Sequence, residues 1–146
     1  MIFHALPDIQ SVSEAIRDAV APVFLLTGIG SILTVIVSRL GRAVDRSRII
    51  NNMNLKEKKE HLHELNLIVI RTSYIRKAII SITISSLSVC ISIGSLFVEV
   101  NFGLNLPNIV SITFIIAMFT LILGLLFFLR EILLASKEMI VINRDL

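Results

Sequence analysis

The sequence predicts an all-α integral membrane protein with three transmembrane helices, the first two of which extend into a cytoplasmic helical hairpin. Three observations predict this class: hydrophobic residues make up 55% of the 146 residues, three long segments carry almost no charge, and Lys and Arg are concentrated in one connector. The hydrophobic fraction exceeds the value of about 45–50% that is usual for soluble domains. We therefore interpret residues 1–146 as one membrane domain.

Each predicted span has about the 20 residues that a helix needs to cross the hydrocarbon core. The first covers residues 19–38 and the second covers residues 78–98. The third covers residues 108–130 and begins beside Pro107, a residue type that the first turn of a helix tolerates. A charge at the bilayer centre costs about 2.5–3.5 kcal/mol on insertion scales, so three such segments favour a membrane over buried soluble helices.

Positive charge is distributed unevenly between the predicted loops. One Lys or Arg precedes the first span, ten lie between the first and second spans, none lies between the second and third, and three follow. Cytoplasmic loops hold the positive excess. We therefore expect the cell inner (cytoplasmic) membrane as the location, with the N-terminus outside and with the hairpin, residues 39–77, and the tail, residues 131–146, in the cytoplasm.

An arginine-rich stretch, SRLGRAVDRSR, marks the predicted cytoplasmic end of the first span. Such arginines reach lipid phosphates, so we expect the bilayer and its anionic head groups as partners. The stretch lacks the interleaved aromatic residues typical of nucleic-acid binding, and we expect no nucleic-acid partner. Asp45 lies three residues from two arginines, which predicts either a local ion pair or a pair with another helix or subunit. The candidate interfacial charge cluster comprises Arg39, Arg42, Asp45, Arg46 and Arg48.

The connector is predicted to be a helical hairpin. The segment AVDRSRII has neither Gly nor Pro, so the first helix should continue past the membrane until NNMN interrupts it. Asn54 and Glu57 resemble a capping box, so we expect the second helix to begin near Leu55 and to pass unbroken into the membrane. His61 and His63 are two residues apart and point in different directions on a helix, which favours a solvated pair over a metal site.

Small side chains recur at steps of three and four residues in each span. The row in the second span is the candidate pore or packing stripe, and it comprises Ser81, Ser85, Ser88, Ser92 and Ser95. The first span carries Thr27, Ser31, Thr34 and Ser38, and Arg42 and Asp45 extend this row; the third carries Thr113, Ala117, Thr120 and Gly124, and Glu131 lies further along the same side. Such rows predict either close helix packing with interhelical hydrogen bonds or a hydroxyl-lined pore in a homo-oligomer.

Several of these motifs are shared with a known family. The chain resembles the DUF2721 family of small bacterial membrane proteins of unassigned function through APVFLLTGIGSIL followed by SRLGRAVDRSR, the charged connector, LLFFLREILLA, and Phe114, Ala117 and Met118. The resemblance covers nearly the whole chain and implies three spans. It brings no catalytic residue, but it makes the group of Arg42, Asp45 and Arg46 look like a family feature.

The functional expectation is a homo-oligomeric membrane protein that forms an ion or small-solute channel, with the serine stripe on the symmetry axis and the hairpins as a collar. The alternative is a non-conducting accessory or assembly subunit of a larger membrane complex. The sequence has no Ser-His-Asp set, phosphate-binding Gly-rich loop or cluster of metal ligands, so we expect no enzyme, cofactor or metal site. Cys90 is the single cysteine, and we expect it to be buried.

Overall fold

The computed structural model describes residues 9–54, 57, 59, 61–103 and 107–142, and the side chains among them from residue 10 to residue 136. They form three long helices, α1 (Ile9–Asn51), α2 (Leu62–Phe102) and α3 (Pro107–Ile142), and none of these residues lies in a strand. All three helices are long and apolar enough to cross a membrane. The prediction of an all-α chain with three candidate spans is confirmed.

The end of α1, the end of α2 and the start of α3 each coincide with a residue or segment that commonly ends or begins a helix. α1 continues to Asn51, and the N–H groups of Asn52 and Met53 close its last turn on carbonyls three and four residues earlier. α2 ends before Gly103, whose φ of 61° is the left-handed conformation of a helix-terminating glycine. α3 begins at Pro107, as predicted.

The predicted start of the second helix near Leu55 lies outside the described residues, and its predicted unbroken continuation into the span is wrong. The continuous helix that enters the span begins at Leu62, directly after a turn at His61. Glu57 and Lys59, before that turn, are helical and exposed.

Contacts between the helices group into two compact units, and every helix contributes to both. The first unit contains the described residues up to Ser31 together with Thr83–Leu121. The second unit contains Ile32–Ile82 together with the described residues from Ile122 onwards. The serine stripe lies mainly in the first unit, and the arginine cluster lies in the second.

The buried residues of α2 and α3 recur at the alternating steps of three and four that characterise coiled-coil packing. On α2 they are Ile68, Ile75, Ala78, Ile82, Ser85, Val89 and Ser92, and on α3 they are Ala117, Leu121, Gly124 and Glu131. Large apolar side chains cover much of the remaining surface, and Phe119, for example, is 62% exposed. A surface this apolar is suited to lipid, because in water it would drive association.

The face that α1 buries is not its hydroxyl row. Its buried residues are Ala15, Ala19, Pro22, Ile29, Ile36 and Ile50, whereas Thr27, Ser31, Thr34 and Ser38 are exposed. Isoleucine offers more contact area than a hydroxyl side chain. The hydroxyls of Thr27 and Ser31 donate to carbonyls one turn earlier in α1, so their exposure leaves no donor unsatisfied.

The expectation that Cys90 is buried is also wrong. Its side chain is exposed on α2, one position beyond the buried Val89. On a helix that buries only a narrow stripe, a shift of one residue turns the side chain by about 100° and moves it off the contact.

Candidate functional site

A buried carboxylate in the second unit is held by arginines from two other helices. Glu131 of α3 has a side chain that is only 1% exposed. Arg39 of α1 donates from Nη1 to its Oε2 at 3.1 Å, and Arg71 of α2 donates from Nη2 to its Oε1 at 3.1 Å. One acidic side chain therefore connects all three helices, and we call these three residues the Glu131 cluster.

Packing positions each member of the Glu131 cluster. Glu131 continues the buried seven-residue spacing of Ala117 and Gly124 on α3. The guanidinium of Arg39 lies 5.5 Å from the centre of the Phe128 ring, which supports its position by a cation–π contact. A buried ion pair compensates its desolvation only when the charged atoms are also hydrogen-bonded. Both carboxylate oxygens of Glu131 meet that condition.

A cavity of about 370 Å³ lies beside the cluster. It is lined by three arginines, one acid and two apolar residues: Arg39, Arg42, Ala43, Ile68, Arg71 and Glu131. The excess of positive charge makes this space favourable for an anion and unfavourable for a cation. Among the residues that the structure describes, no group of three or more His, Cys, Asp or Glu side chains is placed to hold a metal ion.

A second ion pair joins α1 to α2 in the predicted hairpin. Arg46 donates from Nε to Oε1 of Glu64 at 2.6 Å and from Nη2 to Oε2 at 3.0 Å. His61 Nδ1 lies 3.2 Å from the same Oε2. These groups lie outside the predicted spans, where the hydrogen bond from Arg46 lowers the pKa of Glu64 below its ordinary value and raises the pKa of Arg46. The bidentate geometry fixes the two helices in one register.

The structure distributes the predicted charge cluster among different partners. Arg39 binds Glu131 and Arg46 binds Glu64, whereas Arg42 donates from Nη1 to Ser38 Oγ at 3.0 Å. The predicted local pair of Asp45 with a neighbouring arginine is wrong. For Arg42 the reason is that helical side chains lean towards the helix N-terminus, so its guanidinium extends towards residue 38, away from Asp45.

Two members of the serine stripe lie at the contact between α2 and α3 in the first unit. Ser85 donates from Oγ to the Ala117 carbonyl at 2.7 Å, and Ser92 donates to the Val110 carbonyl at 3.3 Å. Both residues are 1% exposed. Small hydroxylated residues allow this close approach of two backbones, and their hydrogen bonds then cross the helix interface.

The other serines of the stripe lie at the flank of this contact. Ser88 and Ser95 are half-buried and donate to carbonyls of their own helix at 3.0 and 2.9 Å. Ser81 is also half-buried and belongs to the second unit. The structure therefore brings Ser85 and Ser92 to the neighbouring helix and leaves the rest of the stripe partly accessible.

Three residues of these contacts were missed by the site prediction: Glu64, Arg71 and Glu131. Two of them continue rows that the sequence already displays. Arg71 lies seven residues before the buried Ala78, and Glu131 lies seven residues after Gly124. Each row reaches its charged residue one heptad beyond its last small residue, but the row does not show which residues pair.

Comparison with known proteins places these features in a family. Residues 19–140 match the family model described as "Protein of unknown function (DUF2721)". Neither the search of curated proteins nor the search of solved structures found a match. The matched range contains the Glu131 cluster, the Arg46–Glu64 pair and the serine stripe, and it covers most of the chain. The chain belongs to the DUF2721 family.

Proposed function

We propose that this protein is a homo-oligomeric, non-enzymatic protein of the bacterial inner membrane, with its N-terminus outside and its hairpin and C-terminal tail in the cytoplasm. The orientation is supported by charge, because ten of the fourteen Lys and Arg residues lie between the first two predicted spans. Anionic head groups are the expected lipid partners of that basic connector.

Self-association is supported by a face of α1 in the second unit that the chain does not bury. Thr34, Ser38, Arg42 and Asp45 follow one another at steps of three and four, and all four are exposed. In a bilayer, apolar side chains contact lipid as favourably as they contact another helix, so they do not drive helix association. Small hydroxylated side chains do, because they let two helix backbones approach closely. This exposed row is the observation that carries the proposal.

The row ends in one positive and one negative side chain, Arg42 and Asp45, so the same two residues of a second copy could pair with them. Asp45 makes no hydrogen bond or ion pair with another described residue, and Arg42 contacts a hydroxyl rather than a carboxylate. Around a two-fold axis along the membrane normal, Arg42 of one copy and Asp45 of the other differ in height by about 4.5 Å, which an arginine side chain spans. Two reciprocal ion pairs would form, as symmetry requires.

Conduction of ions or small solutes is a second candidate function of such an oligomer. Ser85 and Ser92 donate to α3 within the chain, so in this version the exposed hydroxyls of α1 would face the axis. Hydroxyl-lined paths pass small polar solutes when water fills them. Flux through liposomes that contain the purified oligomer tests this candidate.

An accessory or assembly subunit is the remaining candidate. It is supported by the packing of α2 against α3 through their small residues, which leaves only apolar side chains such as Phe119 and Ile115 on much of α3. A larger membrane protein would then cover these side chains. Co-purification with a second protein in a stoichiometric complex, in place of a clean homo-oligomer, distinguishes this candidate.

The test of self-association is cysteine crosslinking in membranes. In a Cys90→Ser background, Thr34→Cys is expected to form an oxidised dimer, because a disulfide requires Cα atoms within about 7 Å. The control, Leu126→Cys, places a thiol on α3, where the side chain is also exposed. Asp45→Arg should abolish the crosslink and Arg42→Asp with Asp45→Arg should restore it. Equal crosslinking at both positions, or a monomeric mass in detergent, contradicts the proposal.

A further inference from the structure

The cavity beside the Glu131 cluster presents mainly positive charge to a solute. Arg39, Arg42 and Arg71 contribute three guanidinium groups to its lining, and Glu131 contributes one carboxylate. The carboxylate is buried, whereas the side chains of Arg39 and Arg71 are partly exposed and Arg42 is exposed. The acid is therefore withdrawn from solvent, and the part of the lining that a solute meets is positive.

The three guanidinium groups lie at one level along α1 and α2. Arg39 and Arg71 come from different helices and meet at the two oxygens of one carboxylate, each at 3.1 Å. The Cα atom of Arg42 lies about 4.5 Å further along α1, but helical side chains lean back towards the N-terminus. Its Nη1 donates to Ser38 Oγ at 3.0 Å, which returns the guanidinium to the level of Arg39. One anion in this cavity therefore faces all three groups.

Arg39 and Arg42 retain hydrogen-bond donors for a ligand. A guanidinium group carries five N–H donors. Arg39 donates to Glu131 through Nη1, Arg42 donates to Ser38 through Nη1, and the described part of the chain gives neither arginine a second hydrogen-bond acceptor. The same part of the chain supplies no carboxylate to Arg42, so its charge is available to an external anion.

We propose that this cavity binds a phosphate group with net negative charge, supplied either by free phosphate or by the head group of an anionic phospholipid. The paired N–H groups of a guanidinium match two oxygens of a phosphate. Three guanidinium groups and one carboxylate leave a surplus of positive charge that such an anion neutralises. The cavity volume of about 370 Å³ exceeds that of ten water molecules at about 30 Å³ each, so a phosphate group fits.

The site itself requires only one chain, whereas the lipid source rests on the proposed membrane placement. In that placement Arg39 directly follows the first span, so the cavity lies at head-group depth. Arg42 can contact both a phosphate and Asp45 of a second copy, because a guanidinium presents donors along more than one edge.

Titration followed by phosphorus nuclear magnetic resonance tests the proposal on the purified full-length protein in an uncharged, phosphorus-free detergent. The probes are inorganic phosphate, short-chain phosphatidylglycerol and short-chain phosphatidylcholine, and the broadening of each signal gives a dissociation constant. The test variant is Arg42→Gln, which leaves the ion pairs of Glu131 in place. The matched control is Arg48→Gln, an exposed arginine of the same helix that does not line the cavity. A third variant, Arg42→Lys, keeps the charge and removes the paired donors.

The expected result is binding of inorganic phosphate or phosphatidylglycerol in preference to phosphatidylcholine, because the choline cation meets a positive lining. Arg42→Gln should weaken binding about fivefold, the effect of one basic side chain beside an anionic head group, and Arg42→Lys should weaken it less. Arg48→Gln should leave it unchanged. Binding of phosphatidylglycerol alone identifies a lipid source, and binding of inorganic phosphate with the same dependence on Arg42 identifies a soluble one.

Equal losses in the two Gln variants, or binding of neither anionic probe, overturn the proposal. Asp45→Asn separates it from self-association, since this variant removes the acid that pairs the two copies, and Asp45 does not line the cavity. Phosphate binding that persists in Asp45→Asn supports a site within one chain, and loss of binding there overturns that site. Circular dichroism verifies that each variant is folded.

Discussion

Replacing Glu131 with glutamine keeps the shape of a buried side chain and removes the one negative charge that two arginines share. In the wild type, both carboxylate oxygens accept a guanidinium hydrogen bond at 3.1 Å. In the Glu131→Gln variant the amide nitrogen has no acceptor there, and the two positive charges of Arg39 and Arg71 face each other without a counter-charge. The variant should therefore be destabilised at the point where three helices meet.

The magnitude follows from the burial of this carboxylate. Each ion pair at about 4 Å between charge centres is worth about 4 kcal/mol of attraction at an effective dielectric constant of 20, before desolvation is subtracted. Removing one partner of a buried ion pair costs about 3–5 kcal/mol. The arginine side chains are 33% and 27% exposed, so they partly rehydrate when the acid is lost. We expect a loss of about 3 kcal/mol in unfolding free energy.

The assay is equilibrium unfolding in mixed detergent micelles, followed by an environment-sensitive dye on Cys90, the single cysteine. Glu99→Gln is the control, because Glu99 is a half-buried carboxylate of the first unit whose replacement should cost less than about 0.5 kcal/mol. A triple variant, Arg39→Met with Arg71→Met and Glu131→Leu, should regain most of the loss, since an apolar cluster of similar volume replaces the charges. A Glu131→Gln variant as stable as the control would refute this account of the cluster.

Three further changes test the packing and the hairpin. Gly124→Ala should lower stability by about 1–3 kcal/mol, because its Cβ would lie 2.5 Å from an isoleucine Cγ1, whereas Gly94→Ala, with nothing within 4 Å, should be neutral or stabilising in the same unfolding assay. Ser85→Ala should cost about 0.6 kcal/mol through its lost interhelical bond, and Ser88→Ala should cost less; equal losses would contradict the assigned hydrogen bonds. Glu64 has a lowered pKa in the folded state, so its stabilising effect is complete above its unfolded pKa of about 4.3 and disappears as the pH falls through the folded value. The melting temperature of Glu64→Gln should therefore lie below that of the wild type at pH 7, and the difference should shrink as the pH falls below about 4.3; a difference that keeps its full size in acid would be inconsistent with this ion pair.

Local sequence signals were sufficient to predict most helix boundaries. The uncharged segments predicted three helices, the NNMN segment marked the end of α1, and Pro107 marked the start of α3. These features act within a few residues of chain, so they can be recognised without knowing what the chain packs against. The turn at His61, which lies between the helical residues Glu57 and Lys59 and the start of α2 at Leu62, was not predicted, because no Gly or Pro marks it in the sequence.

The sequence by itself determined that this chain has three apolar helices long enough to cross a bilayer and one strongly basic connector, because hydropathy and charge are properties of composition along the chain. Only the tertiary structure decided which rows of small residues are buried and which acid each arginine binds. Several faces of an apolar helix present similar side chains, and a rotation of about 100°, equal to one residue, brings a different face to the contact. The sequence alone therefore does not show which face packs against the neighbouring helix. The partners of Glu131 come from segments 60 and 92 residues away, a relation that no local pattern encodes.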